Sequence, residues 1–268
     1  MPSNLIRFGT SGWRAIIADE FTFENVRLAV AAIAEHVRSR NSSPTLIIGH
    51  DTRFFSEEFA RAAAEVLSAY GVRVLMCKGP APTPAIAYEI LCRKTDGAIN
   101  FTASHNPAEY HGLKFSGPDG GPALPEVTRD IEARVEKLAR SAAPVKRAPA
   151  RFETIDLRVP YFGRLLELVD FSVLRAAKLK FVCDVLHGCG AGYLDRILED
   201  QAVEAVALRT DRDVLFDGHG PDVAETNLAP LRQAMLEHRA AAGLATDGDA
   251  DRFGILRSEE HTSELQSR

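Results

Sequence analysis

An alternation limits the folds open to this chain more than any other feature. Short apolar runs of strand length are each followed by a segment of helical periodicity, with brief polar connections. In the first half, Val26, Val30, Ile33 and Val37 recur at helical spacing across Phe23–Arg38, and Thr45–His50 reads as a buried strand. Ser56 is expected to cap a helix running to about Ala69, and Gly71 to stop it. Val72–Cys77 is a strand, Pro82-Thr83-Pro84 starts a helix ending near Cys92, and Asp96–Phe101 is the next strand. Gly112–Phe115 reads as a short strand turning back, and Pro125–Arg140 as an amphipathic helix. The second half repeats the pattern. Helices are expected at Tyr161–Leu174, before about Leu198, and at Leu228–Ala241; strands are expected at Leu179–Asp184 and Val203–Leu208, and a short apolar run, Gly243–Thr246, follows the last helix. Such alternation argues for α/β domains whose mostly parallel, mixed sheets are covered by helices on both faces. The Ala-, Pro- and Arg/Lys-rich stretch Ser141–Pro149 reads as a linker, giving two consecutive domains at 1–145 and 146–256.

Composition narrows the function. With 268 residues, 46% hydrophobic, the chain can bury two ordinary cores. A net charge of -5 argues against a general nucleic-acid binder. No run approaches the ~18 apolar residues of a membrane span, and no signal-peptide pattern opens the chain. Cys77, Cys92, Cys183 and Cys189 form no C-x-x-C pair and read as buried free thiols, so a cytoplasmic protein is expected.

The strand ending at Phe101 runs into Thr102-Ala103-Ser104-His105-Asn106-Pro107. Ser104 is thereby placed beyond the carboxyl end of a strand, where open α/β sheets bind ligands. A hydroxyl there can carry a phosphoryl group to a sugar. A Ser-His hydrolase is the competing reading of Ser104 and His105, but sequence neighbours are poorly placed for that proton transfer and no G-x-S-x-G elbow is present. Gly243–Thr246 leads into Asp247-Gly248-Asp249-Ala250-Asp251-Arg252. Three carboxylates at alternate positions can converge on one hard cation such as Mg²⁺ and repel one another without it. A calcium-binding EF-hand loop begins the same way, but its sixth position would be Arg252 rather than Gly and its twelfth Ser258 rather than Glu. Phe8–Arg14 is a donor-rich loop suited to a phosphate oxygen, and the glycine-rich turn His187–Gly192 opens a helix whose backbone could face an anion. A hydroxyl nucleophile, a cation loop and basic groups are the parts that phosphoryl transfer needs.

Taken together, these segments resemble the α-D-phosphohexomutases, the family of phosphoglucomutase and phosphomannomutase. The likeness spans roughly residues 5 to 256. It rests on the Ser104 loop and the triple-Asp loop in this order, supported by Phe8–Arg14, Gly49–Arg53 and His187–Gly192. The resemblance implies an intramolecular phosphotransferase. Ser104, as phosphoserine, would donate to a hexose phosphate; a hexose 1,6-bisphosphate forms, reorients, and returns its other phosphoryl group. Glucose or mannose 1- and 6-phosphates would so interconvert. Ser104, Asp247, Asp249 and Asp251 would hold Mg²⁺. Lys114 would move the proton of the sugar hydroxyl, provided Arg14 and Arg252 crowd its pKa downward. Arg14 and Arg252 would lie near the phosphoserine, with His105 beside it. Phosphoglucosamine mutase is the enzymatic alternative, and a non-catalytic Mg²⁺ or sugar-phosphate binding fragment the other.

Two departures stand beside that likeness. Family members resemble four-domain proteins, and the third and fourth domains, with the loops that read the sugar and grip its phosphate, have no counterpart here. A truncated architecture is therefore expected. Periodicity also stops near Leu256. Residues 257–268 are polar and resemble the translation of a sequencing adapter, so they are expected to be non-native and disordered. The preferred sugar and the oligomeric state are left open by the sequence.

Overall fold

The structure, a computed structural model, describes residues 6–9, 12–141, 143–258 and 264–266. The first half runs β1 (Trp13–Ile16), α1 (Phe23–Arg38), β2 (Thr45–His50), α2 (Ser56–Ala69), β3 (Arg73–Cys77), α3 (Thr83–Arg93), β4 (Ala98–Phe101), β5 (Tyr110–Ser116) and α4 (Pro125–Arg140). The chain continues with β6 (Glu153–Ile155), α5 (Arg158–Leu168), α6 (Phe171–Ala177), β7 (Phe181–Asp184), α7 (Leu194–Asp200), β8 (Ala205–Leu208), α8 (Ala229–His238), β9 (Ala242–Thr246), β10 (Phe253–Arg257) and β11 (Glu264–Gln266). Two sheets result, ordered β1-β5-β4-β2-β3-β6 and β11-β10-β9-β7-β8. The strands β4, β2, β3 and β6 are parallel, as are β9, β7 and β8, and the antiparallel pairs lie at the edges.

The pleat explains why the central strands are apolar throughout. Side chains of successive strand residues point to opposite faces. On β2, Leu46 and Ile48 pack with α1 and α2, whereas Ile47 packs with Ala85, Ile86 and Ile90 of α3. On β7, Val182 faces Leu231 and Met235 of α8, whereas Phe181 and Cys183 face Phe171, Ile197 and Leu198. Both faces are covered, as expected for this fold class. No helix among the described residues is long and apolar enough to cross a membrane.

The structure differs from the sequence reading in several places. β6 pairs in parallel with β3, so the first sheet extends beyond the expected boundary at residue 145. The helix expected over Tyr161–Leu174 is broken. Val169 is extended at φ -116°, ψ 123°, and the Asp170 side chain accepts from the Ser172 N–H to begin a new helix. Ser56 does not cap α2; its hydroxyl donates to Asp51 Oδ1 at 2.7 Å, and the cap residue is Phe55. Cys92 is exposed, while the other three cysteines are buried. Within the terminal segment expected to be disordered, β11 pairs antiparallel with β10, because the outer edge of β10 offers free backbone groups. Residues 259–263 and 267–268 lie outside the described residues.

Side chains and backbone tie the halves together. The Thr52 hydroxyl donates to the His187 carbonyl at 2.8 Å. Arg212 donates to the carbonyls of Thr52 and Arg53 at 2.9 and 3.0 Å. The Thr83 N–H donates to the Asp249 carbonyl at 2.9 Å. These bonds bring the loop after β4 against the loop after β9.

Candidate active site

Ser104 sits where β4 ends, at φ 53°, a left-handed conformation that a serine adopts at a cost and that turns its side chain off the line of the strand. Its N–H bonds the Thr102 hydroxyl at 2.9 Å. The rest of the loop is held from beneath by Arg53, which is fully buried. Arg53 donates to the carbonyls of Ser104, Asn106, Pro107 and Tyr110 at 2.7, 2.6, 2.8 and 3.1 Å. Its Nε in turn bonds Asp51 at 3.2 Å. Arg53 is the functional residue the sequence reading passed over. Its segment, Gly49–Arg53, was visible as a loop after a strand, but nothing in it shows that one guanidinium would collect four carbonyls.

The acidic loop approaches from the other half. Gly248 makes this possible: a Cβ there would lie 2.6 Å from the Ser104 carbonyl oxygen. The turn after His187 serves the same contact. The Cys189 N–H donates to the Gly248 carbonyl at 3.0 Å, so this glycine-rich turn seats the acidic loop. The Ser104 hydroxyl donates to Asp247 Oδ2 at 2.7 Å, and His105 Nδ1 stands 3.3 Å from that serine hydroxyl oxygen. The short bond thus goes to the carboxylate and not to the imidazole, contrary to what a Ser-His hydrolase would need.

Asp247, Asp249 and Asp251 each offer a carboxylate oxygen, all within 4.8 Å of one another. Asp247 and Asp249 are fully buried. Lys114, on β5, reaches across to Asp249 Oδ2 at 2.5 Å and Asp251 Oδ2 at 2.8 Å. The Thr83 hydroxyl also donates to Asp249 Oδ2, at 2.5 Å. Asp249 Oδ1 is buried with no hydrogen-bond partner among the described residues. Burial and the charges of Asp249 and Asp251 push the Asp247 carboxyl up to about 7. An orphaned buried carboxylate oxygen and three mutually repelling acids fit an all-oxygen dication site of the Mg²⁺ kind.

The remaining basic groups are nearby. Arg14 donates to Asn106 Oδ1 at 2.6 Å. Burial, joined by the charge of Arg252, pulls the Arg14 guanidinium below its ordinary range despite the neighbouring acids. Burial, with Arg252 and Arg14, likewise lowers His105. The Arg252 N–H bonds Asp247 Oδ1 at 3.1 Å. Lys114 goes against expectation. Burial acts to lower its pKa, but the attraction of Asp249 and Asp251 outweighs burial and raises it. Two carboxylates in direct contact hold the proton on the amine. The loop before Arg14 is described only in part, since residues 10 and 11 lie outside the described residues.

Fold and site together define a class: two α/β units whose strand ends meet at one seam, where a serine loop and a triple-aspartate loop touch. Comparison with known proteins agrees with that class and narrows it. The family model described as phosphoglucomutase/phosphomannomutase, alpha/beta/alpha domain I, matches residues 5–142, and that of domain II matches residues 159–260. The chain belongs to the phosphoglucomutase/phosphomannomutase family. A protein of Arthrobacter sp. (strain FB24) named phosphoglucosamine mutase is 34% identical over 251 residues, covering 91% of this chain and 54% of that protein. A phosphoglucomutase of Komagataeibacter xylinus is 30% identical, covering 94% and 50%. Among solved structures, a chain from Thermus thermophilus superposes with a TM-score of 0.85 at 35% identity, covering 95% of this chain and 57% of that one. The chain therefore spans about half the length of the relatives it matches.

Proposed function

We propose that this chain carries the phosphoserine and cation-binding half of a hexose-phosphate mutase. In this reading it interconverts hexose 1- and 6-phosphates through a phosphorylated Ser104 and a hexose 1,6-bisphosphate. The observation that carries the reading is the 2.7 Å bond from the Ser104 hydroxyl to Asp247, which joins the nucleophile's loop to the acidic trio across two halves of the chain. Ser104, Asp247, Asp249 and Asp251 would hold Mg²⁺, which when bound neutralises charge on a transferring phosphoryl group.

The protein's own residues do the rest. Ser104 takes and returns the phosphoryl group. Arg53 fixes the loop that aims it, and Arg14, braced by Asn106, presents a guanidinium beside it. His105 borders the serine oxygen, and Arg252 follows the acidic trio that meets it. Lys114 holds its proton between Asp249 and Asp251, which suits a group that gives a proton or a positive charge to the sugar oxygen.

Glucose and mannose phosphates are the substrates in the first reading. Glucosamine phosphate is a second, favoured by the name of the Arthrobacter relative at 34% identity. Incubation with glucose, mannose or glucosamine 1,6-bisphosphate and Mg²⁺, followed by intact-mass analysis, tests both. One phosphoryl group should appear on Ser104 with release of a hexose monophosphate, and the sugar that labels fastest identifies the substrate. Ser104→Ala should take up none. A wild-type chain that gains no phosphoryl group, yet binds Mg²⁺, would instead be a binding fragment.

A further inference from the structure

We propose that His187, Asp213 and Asp217 form a second cation site, suited to a borderline divalent metal such as Zn²⁺ or Mn²⁺ and made of residues distinct from the triple-Asp loop. His187 follows β7, and Asp213 and Asp217 lie in the loop between β8 and α8. Their ligand atoms all lie within 4.8 Å of one another.

The histidine is the decisive group. Its side chain is 8% exposed. Nδ1 lies 3.0 Å from the Asp211 carbonyl, which can only accept, so Nδ1 carries the proton. In the neutral ring that puts the lone pair on Nε2, the arrangement in which metal-ligating imidazoles are held. Nε2 is buried and has no hydrogen-bond partner among the described residues. Yet Asp217 Oδ2 stands only 3.2 Å away. With the ring neutral, the buried Nε2 and the half-exposed Asp217 oxygen are two acceptors facing each other, which is unfavourable unless a cation lies between them.

The carboxylates are arranged to match. Asp213 Oδ1 accepts from the Leu215 N–H and Oδ2 from the Asp217 N–H, both at 2.9 Å, which fixes the group and leaves a lone pair on each oxygen. Asp211 Oδ1, 3.4 Å from His187 Nδ1, adds negative charge. Arg209 Nη1 approaches Asp217 Oδ2 at 3.6 Å and shares part of its charge, while Nε and Nη2 of the same guanidinium bond Asp184 and the Asn227 carbonyl. One imidazole nitrogen with two carboxylates favours a borderline metal over Mg²⁺, which prefers oxygen alone. The metal would pin the loop whose Phe216 ring lies 5.1 Å from the Arg53 guanidinium carbon. It would thereby brace the seam where the His187 carbonyl meets Thr52.

The test uses the full chain in excess Mg²⁺, so that the triple-Asp site is occupied. Zn²⁺ is titrated by calorimetry and by thermal unfolding, and Co²⁺ serves as the spectroscopic probe. One equivalent of Zn²⁺ should bind and raise the melting temperature, and Co²⁺ should show a band of mixed nitrogen and oxygen ligation. Asp217→Asn, at a half-exposed position that leaves the fold intact, and His187→Gln should each weaken binding about tenfold or more. Asp247→Asn should leave Zn²⁺ binding unchanged. Failure of the wild type to bind Zn²⁺ would overturn the proposal. So would unaltered binding in Asp217→Asn, or loss of binding in Asp247→Asn. Nitrogen NMR showing both His187 ring nitrogens protonated and unmoved by Zn²⁺ would assign the gap to a proton and overturn it equally.

Discussion

At the scale of single residues, the serine loop depends on a buried chain of partners that ends in an imidazole. Arg53 holds the loop's carbonyls and rests on Asp51. Asp51 accepts from the Ser56 hydroxyl, and that hydroxyl lies 3.0 Å from His111 Nε2. The Gly112 N–H donates to His111 Nδ1 at 2.9 Å, so the ring's proton sits on Nε2 and faces Ser56. Replacing Arg53 with methionine leaves the Asp51 charge buried without its partner, which should cost about 3–5 kcal/mol in urea unfolding. Burial pushes His111 down from 6.5 to about 4. The unfolded chain therefore takes up a proton, below pH 6.5, that the folded chain refuses until about pH 4. Above that window His111 contributes no pH dependence. Within it stability falls as the pH drops, by about 3 kcal/mol in all. His111→Gln should lose that slope, and an unchanged slope in the variant would remove His111 from the account.

At the scale of elements, the long periodic segments were legible. Phe23–Arg38, Thr45–His50 and Pro125–Arg140 form as their spacing predicts, because burial on a helix stripe or on both strand faces leaves a repeat in the sequence. The elements that were missed carry no such repeat. β6 has three residues, two of them exposed, and owes its existence to the edge of β3. β1 hides inside a glycine-flanked segment, with Trp13 and Ala15 inward and Ile16 outward. The break between α5 and α6 did leave a signal, an aspartate two residues before a serine, but the apolar residues on both sides masked it. The triple-Asp loop and Ser104 stood out as candidates because each is a local pattern, whereas the Arg53 and Lys114 bridges depend on contacts between distant segments. Loop contact at this scale is testable. In Gly248→Ala the new Cβ would lie 2.6 Å from the Ser104 carbonyl and must part the two loops. Phosphorylation of Ser104 should slow by up to about a hundredfold, with a loss of about 1–3 kcal/mol in stability. Full-speed labelling would show that the contact is not required.

At the scale of the whole molecule, two α/β/α layers present the carboxyl ends of their parallel strands to one seam, and backbone and side-chain bonds from Thr52, Thr83 and Arg212 hold it closed. The candidate site exists only because both halves contribute: Ser104 and Lys114 from one, the three acids from the other. In the proposed function, neither half alone could hold a dication against a phosphorylated Ser104. That bridging is the central claim, and phosphorus NMR of the Ser104-phosphorylated chain titrated with Mn²⁺ tests it most directly. The account predicts that the phosphoserine resonance broadens away as one equivalent of Mn²⁺ binds, and that Asp249→Asn restores a sharp line. A phosphoserine line that stays sharp while Mn²⁺ is bound to the wild-type chain would contradict it.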